Sequence, residues 1–227
     1  FTADLSLEEE DWNLTLAPQQ FHLSQLLPDS VEDTVLHGNY HISGSGFAAE
    51  NARVDISVAA QNERIWGEKI RSWNLDARYE DSMLAIQKLN LVHQQGVVAL
   101  DGGVNLSDSM LQLNSNLQLP NLESLQEYGL SMQGIASYEG PIQVRWADDT
   151  AVVLQGRLLG TGISYDEYAL EHVHADIDVV YENERLTGTT TLELEEFSGT
   201  GAEIQALKSN IALSYRDILT VKGDLAV

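Results

Sequence analysis

The stretch Met110-Leu-Gln-Leu-Asn-Ser-Asn-Leu-Gln-Leu119 carries the clearest structural signal in the chain. Leucines occupy its odd positions 111, 113, 117 and 119, and amide side chains occupy the even positions 112, 114, 116 and 118. A period of two places the two sets on opposite sides of a β-strand. The stretch therefore predicts a strand with one apolar face and one polar face.

The same alternation recurs along the chain, at 54–58, 73–79, 152–158, 173–179 and 211–225. Short polar segments such as Tyr79-Glu-Asp-Ser82 and Tyr181-Glu-Asn-Glu184 separate the apolar runs. Their side chains can hydrogen-bond to their own backbone and close turns, which makes successive strands antiparallel neighbours. We predict an all-β meander of about a dozen to sixteen strands.

Two strands change the side on which their apolar residues fall. In the first, the apolar residues stand at even positions 84 and 86 and then at odd positions 89 and 91. In the second, they stand at 204 and 206 and then at 207 and 211. Such a change predicts a β-bulge or a bend, and repeated bends allow a long sheet to curl. The one clear helical candidate is the turn at 121–129, with Asn121 as its cap and Gly129 at its end.

The composition is strongly acidic. The chain has 227 residues with 12 Lys+Arg and 35 Asp+Glu, a formal net charge of −23. Such a charge argues against binding to nucleic acid or to anionic lipid headgroups at a membrane surface. The chain has no Cys, which excludes disulfides, thiolate metal sites and cysteine catalysis. Residues 53–88 hold six of the twelve basic residues.

A metal site is suggested by the segment His172-Val-His174-Ala-Asp176-Ile-Asp178. In a strand these polar side chains share one face at a spacing of about 6.5–7 Å, and two His with an Asp are ligands suited to Zn²⁺ or Cu²⁺. The simpler interpretation is the solvent-facing side of a strand, because the intervening residues are apolar. We predict no metal site, with His172, His174 and Asp176 as the weak candidate.

Catalysis is the least favoured class of function. The acidic runs Glu8-Glu-Glu-Asp11 and Glu193-Leu-Glu195-Glu196 could supply paired carboxylates, as glycoside hydrolysis requires. Acidic residues at strand ends more commonly prevent edge-to-edge pairing. No nucleophile elbow or phosphate-binding loop is present in the pattern. We therefore expect a protein that is not an enzyme and that needs no cofactor.

The apolar faces of so many strands must be buried against something. They can close into a barrel or sandwich, receive a covering helix, or line a groove that accepts an apolar ligand. Helix is too sparse in the sequence to cover a sheet of this size. A closed sandwich would suit an adhesin or surface-binding module, with function in loops such as Asp29–Asp33 or Tyr181–Arg185. A groove without convergent polar groups suits acyl chains. The residues that we predict to face such a groove are Leu111, Leu113, Leu117, Leu119, Val152, Leu154, Leu158, Ile211 and Leu213.

The chain also resembles a known family. Leu117-Gln-Leu-Pro-Asn-Leu-Glu-Ser-Leu-Gln-Glu-Tyr-Gly-Leu130, a strand followed by a short amphipathic turn, leads into the Gly-bearing strand Met132-Gln-Gly-Ile-Ala-Ser-Tyr-Glu-Gly140. The segments 37–46 and 219–225 have a similar Gly-bearing strand pattern. With the degenerate strand ladder and the absence of Cys, the span 1–227 resembles the TamB/AsmA-like group of bacterial envelope proteins.

That resemblance implies a U-shaped β-taco, a curled antiparallel sheet with an aliphatic interior. It implies a member of a periplasmic lipid-transport family that is anchored in the inner membrane of a Gram-negative bacterium. Its partners would be phospholipid acyl chains and an outer-membrane barrel such as TamA, the other half of the translocation and assembly module. Because the chain begins at Phe1 and ends in a strand-like segment, we expect a single all-β piece of a longer polypeptide, with any anchor outside it.

Overall fold

The computed structural model describes residues 2–5, 11–25, 34–46, 48, 51–129, 131–146, 150–215 and 219–226. The chain divides into two compact units, Phe1–Asp108 and Ser109–Val227. In both units the described residues are almost entirely in antiparallel strands. That 1–227 is one segment of a longer polypeptide stays a prediction.

The first unit is a meander with one short excursion. Its strands are β1 (Thr2–Leu5), β2 (Asp11–Leu16), β3 (Phe21–His22), β4 (Val35–Leu36), β5 (Gly38–Ser45), β6 (Arg53–Ile65), β7 (Glu68–Glu80), β8 (Met83–His93) and β9 (Val97–Asn105). The sheet order is β1-β2-β5-β6-β7-β8-β9. The excursion comprises β3, a 3₁₀ helix at Leu23–Gln25, and β4, which pairs with both β3 and β6. The predicted loop Asp29–Asp33 lies outside the described residues.

The second unit is a meander without excursions. Its strands are β10 (Met110–Leu119), β11 (Gln133–Trp146), β12 (Thr150–Tyr165), β13 (Tyr168–Glu182), β14 (Arg185–Gly199), β15 (Ala202–Tyr215) and β16 (Leu219–Ala226). They follow one another in the sheet in the order of the chain. The described strand pairings of each unit do not close its sheet into a barrel. The predicted all-β fold, a long antiparallel sheet of consecutive hairpins, is confirmed.

Tight turns connect many of the strands, where the sequence predicted polar turns. Asp81 and Ser82 have φ of 51° and 61°, and Asn183 and Glu184 have φ of 51° and 58°. Positive φ at both central residues is the geometry of a type I′ turn, whose twist matches that of the flanking strands. The strands therefore meet through two-residue connections, which fix their register.

The change of side predicted in β8 is a β-bulge. Ala77 pairs with Ile86 and Asp76 pairs with Lys88, so that Gln87 is the extra residue. The pairing of β8 with β9 shifts at the same place. In β15 the apolar residues also change from one face to the other, but the pairing of β15 with β14 shows no shift of register and so no bulge. There the neighbouring strand β14 carries a left-handed residue, Glu196, with φ of 54°.

The predicted helical turn at 121–129 is a 3₁₀ helix, Leu122–Tyr128. The Asn121 side chain accepts a hydrogen bond from the Glu123 N–H at 2.9 Å, which satisfies one of the free donors at the helix start. Gly129 ends the helix in the left-handed conformation with φ of 84°. In the described part of the chain, no helix has the length and apolar character needed to cross a membrane.

The hydrophobic core is thin. None of the described large side chains is fully buried. The buried apolar residues are Val58, Ala60, Ile70 and Ala77 in the first unit, and Leu122, Ala151 and Ala175 in the second. Small side chains thus dominate the buried set, and most Leu, Ile and Val side chains of the sheets are only half-buried.

Candidate functional site

The nine residues predicted to line a groove lie together on one side of the second unit's sheet. Residues that pair across antiparallel strands have their side chains on the same face. Through β11, Leu111 and Leu113 are connected in register to Val152 and Leu154. Through β13 and β14, the same rows reach Leu213 on β15. We call this side the apolar face of the second unit.

The rest of this apolar face comes from residues that the sequence analysis did not include among the predicted groove residues. Residues of β11, β13 and β14 connect the predicted ones in register: Tyr138, Ile142, Val144, Val173, Ala175, Ile177, Val179, Leu186, Leu192 and Leu194. On β11 the apolar pattern is interrupted by Gly140, which lies on the apolar side. The face therefore extends across consecutive strands as a largely apolar surface, with Ser115, Thr190 and Ser209 as polar positions within it.

This surface is only partly covered. All nine predicted residues are half-buried, because neighbours in the same sheet shield their flanks. A closed sandwich core buries such side chains completely, since a second layer interdigitates with the first. Within the described residues of the second unit, the 3₁₀ helix is the one element outside the sheet, and it spans seven residues. It is too short to cover seven strands.

Tyr138 brings a phenol onto this face. Its ring lies so close to Gly156 that a Cβ there would come within 3.0 Å of Tyr138 Cε2. Its hydroxyl donates to the Gln155 carbonyl oxygen at 3.0 Å, and burial raises the pKa of the phenol. The glycine therefore allows an aromatic ring to lie flat over the backbone, with its hydroxyl already bonded within the sheet.

The opposite side of the second unit carries charged and amide side chains. Arg157 Nε lies 3.4 Å from Asp176 Oδ1, and His174 lies between Asp176 and Glu193, at 3.3 Å and 3.6 Å. Lys208 Nζ is paired with Glu193, which lowers the pKa of that carboxyl group and raises that of the lysine. These contacts form a ladder of ion pairs across β12 to β15. Val153, Val180 and Leu159 are apolar exceptions on this side.

The weak metal candidate belongs to this ladder. His172, His174 and Asp176 share the polar side of β13, as the alternation predicted. Asp176 is paired with Arg157, and Glu193 is paired with Lys208, so cations already occupy the neighbouring carboxylates. In the described ranges, no three His, Asp or Glu side chains are grouped so as to hold a metal ion.

The other predicted sites are the two acidic runs and the loop at 181–185. Glu193 belongs to the ion-pair ladder, whereas Glu195 and Glu196 are exposed. Most of the acidic run at Glu8–Asp11 lies outside the described residues. The segment Tyr181–Arg185 contains a turn of two residues, Asn183 and Glu184, between β13 and β14. This turn is too short to act as a binding loop. Asp11, the described residue of the first acidic run, lines a cavity of about 410 Å³ together with Asn13, Ser43, Arg53 and Asp55.

The first unit also has an apolar side, with a buried carboxylate at its end. Rows such as Leu14–Ile42–Ile56–Ala77–Ile86 follow the pairing of β2, β5, β6, β7 and β8. Glu63 lies near the end of β6, beyond these rows, and is 2% exposed. Sequence reasoning missed this residue, whose one signal is an acid three positions after Ala60, the last residue of the apolar run of β6.

Three donors hold the Glu63 carboxylate. The backbone N–H of His37 donates at 2.7 Å and the Trp73 indole N–H donates at 2.6 Å. The Tyr40 hydroxyl donates to the same carboxylate. Burial raises the pKa of Tyr40 far above its ordinary value, and the adjacent Glu63 raises it further. Tyr40 and Trp73 also meet edge to face, with ring centroids 6.2 Å apart.

Comparisons with known proteins identify no relative: no family model, no curated protein and no solved structure matches this chain.

Proposed function

We propose that this chain is part of a non-enzymatic periplasmic lipid conduit or scaffold. In this role, the apolar face of the second unit passes phospholipid acyl chains between the inner and outer membranes, or supports outer-membrane assembly. The observation that carries the proposal is the extent of that face. It spans consecutive strands with aliphatic side chains, and the described residues of the unit leave it without a second layer.

The chemistry of the face favours acyl chains over other apolar ligands. Burial of a methylene group contributes about 0.8 kcal/mol wherever it contacts an aliphatic wall. Leu, Val and Ile rows offer that gain at many adjacent positions and fix no particular orientation. The hydroxyl of Tyr138 is bonded to the sheet itself, so it does not impose specificity on a ligand. An acyl chain can therefore bind and still slide.

The polar side and the net charge suit a protein that must stay dispersed while it carries an apolar face. A formal charge of −23 gives strong mutual repulsion between copies of the chain. The resemblance to the TamB/AsmA-like group supports a periplasmic location as part of an inner-membrane-anchored protein. It also supports an outer-membrane barrel of the TamA type as a partner in assembly.

The test is retention of lipid by the purified chain. We expect native mass spectrometry and lipid extraction to find phospholipid bound to the protein isolated from bacterial cells. The double variant Leu113→Asp/Leu154→Asp places two charges in one row of the apolar face and should reduce bound lipid at least about tenfold.

The matched control is Gln112→Asp/Val153→Asp, which adds the same two charges to the opposite side of β10 and β12. It should keep its lipid, and circular dichroism should show that both variants retain the sheet. Wild-type protein free of lipid, or equal lipid in both double variants, would contradict the proposal. Lipid-free protein with a single cooperative melting transition would instead favour the closed-sandwich adhesin.

A further inference from the structure

A cavity in the first unit has a character that the apolar face does not share. Its volume is about 440 Å³, and it lies beside the turn that joins β6 to β7. Three of the chain's twelve cations line it, Arg64, Lys69 and Arg71. Amide side chains from Gln20, Asn62 and Gln94 complete much of its wall. In a chain of net charge −23, this is a local concentration of positive charge and hydrogen-bond donors.

The fold places these cations side by side. Trp66 and Gly67 form the turn, with φ of 50° and 87°, and Ile65 pairs with Glu68. The next pair of the ladder is Arg64 opposite Lys69. Thr34, which is 5% exposed, accepts a hydrogen bond from the Trp66 N–H at 3.3 Å and so fixes the turn to the neighbouring segment. This pairing puts the Arg64 and Lys69 side chains on one face of the hairpin.

The acid that lines the same cavity does not serve as this counter-anion. Glu63 is 2% exposed, and its two carboxylate oxygens already accept three hydrogen bonds from His37, Tyr40 and Trp73. Lys69 and Arg71 are exposed and, among the described residues, have no ion pair. Their charges are therefore available to a ligand that enters the cavity.

We propose that this cavity binds a phosphate group, as a phosphate monoester or diester. A guanidinium fork and an ammonium group together match the several oxygens of a phosphate, and amide N–H groups add donors around them. The cavity also has an apolar part, formed by Val35 and Ile70. Its volume lies within the range typical of small-molecule sites and exceeds that of inorganic phosphate alone. The site thus accepts either the headgroup of a phospholipid or a soluble phosphate compound.

This inference goes beyond the proposed function, because the cavity belongs to the first unit and needs no acyl chain to bind its anion. The first experiment is isothermal titration calorimetry of the 227-residue chain with inorganic phosphate and with glycerol 3-phosphate, at low salt. We expect saturable binding that the double variant Lys69→Gln/Arg71→Gln weakens at least about tenfold. Sodium acetate at equal ionic strength should bind more weakly than phosphate.

The matched control is Arg53→Gln/Lys88→Gln, which removes two cations of the same unit that lie outside the cavity. It changes the net charge by the same amount, but it should bind phosphate as the wild type does because both cations lie outside the cavity. Thermal melts of both variants check that the sheet is intact. Absence of phosphate binding, or an equal loss in both double variants, would overturn the proposal.

A second titration identifies the source of the phosphate. Dihexanoyl phosphatidylglycerol, used below its micelle concentration, is a phosphodiester with short acyl chains, and glycerophosphoglycerol is the same phosphodiester without them. Binding of the lipid at least about tenfold tighter than that of glycerophosphoglycerol, and lost in Lys69→Gln/Arg71→Gln, assigns the cavity to a lipid headgroup. Equal affinities assign it to a soluble phosphate compound. Because Leu113→Asp/Leu154→Asp leaves the cavity untouched, loss of lipid in that variant and loss of phosphate binding report on separate sites.

Discussion

At the scale of single residues, Glu63 is the position where the sheet of the first unit departs most from a simple apolar side. A buried carboxylate is costly unless donors surround it. Here a backbone N–H, a phenol and an indole each donate to it. These donors come from β5, β7 and the residue before β5, so one side chain ties three parts of the unit together.

Replacement of Glu63 by Ala should therefore destabilise the protein strongly. The change leaves three donors without an acceptor in a site that is 2% exposed. Since each unsatisfied buried donor costs about 1–3 kcal/mol, we expect a loss of about 3 kcal/mol or more in the free energy of unfolding. Urea denaturation followed by Trp fluorescence measures it.

The exposed Glu203 on β15 offers the comparison, because Glu203→Ala removes a carboxylate that is open to solvent. That variant should stay within about 0.5 kcal/mol of the wild type. Glu63→Gln keeps one acceptor oxygen and should fall between the two. Equal midpoints for Glu63→Ala and Glu203→Ala would show that the three hydrogen bonds contribute little.

The burial of Glu63 could not be predicted from the sequence. The donors of Glu63 lie 10 to 26 residues away in the chain, so its burial depends on the register of three strands. The cations beside it were visible as a basic segment at 53–88 without a recognised purpose. Their pairing follows from the two-residue turn at Trp66 and Gly67, which places Arg64 opposite Lys69. Counting outward from a two-residue turn at Trp66 and Gly67 in the sequence could have identified that pair.

At the scale of elements, β8 shows how the sheet accommodates one extra residue. Gln87 has no partner position in either β7 or β9, because the pairing with both neighbours shifts there. The bulge returns Leu89 and Leu91 to the side already occupied by Leu84 and Ile86. A strand of this length thus keeps one apolar face in spite of its uneven sequence pattern.

Deletion of Gln87 should consequently be tolerated. It removes the unpaired residue and restores strict alternation from Leu84 to Leu91, so every pairing of β8 with β7 and β9 can form regularly. We expect the melting temperature to change by no more than a few degrees. Differential scanning calorimetry of the deletion variant provides the measurement.

Deletion of Ala85 shortens the same strand by the same amount with the opposite effect. It turns Ile86 to the polar side and Gln87 to the apolar side, because a slip of one residue exchanges the faces. We expect a loss of about 1–3 kcal/mol in the free energy of unfolding. Equal stability of the two deletion variants would argue against the assignment of Gln87 as the bulged residue.

Elements were more predictable than residues because a period of two is a local signal. Met110–Leu119 is a strand with the bounds that its alternation predicted, and Asn121 caps the helical turn that follows it. The nine predicted groove residues share one face for the same reason. Their neighbours on β11 were missed, since Gly140 interrupts the apolar pattern there. Whether the face is covered depends on contacts between layers, which no local period encodes.

At the scale of the whole molecule, charge is the dominant property. The chain carries a formal charge of −23 and has a sequence pI near 4.3. At neutral pH, repulsion between copies opposes contact between their partly covered apolar faces. This repulsion originates mainly in carboxylates, and it therefore vanishes as they become protonated.

We expect the protein to associate as the pH is lowered toward 4.3, with the strongest association near that value. Dynamic light scattering between pH 8 and pH 4 should record the growth of larger particles. Addition of about 0.5 M salt at pH 8 should favour association more weakly, because it screens the charges without removing them. Monodisperse protein at its isoelectric point would mean that repulsion is not what keeps the apolar faces apart.

The order of the strands has a consequence for how the molecule is produced. Every strand from β6 to β9 and from β11 to β16 pairs with the strand immediately before it in the chain. A hairpin can close as soon as its second strand has emerged from a ribosome or a translocon, since the contacts that it needs are local. The newest strand then offers its free edge as the template for the next one. Such a sheet can be laid down vectorially, in step with synthesis or export, without waiting for a distant part of the polypeptide.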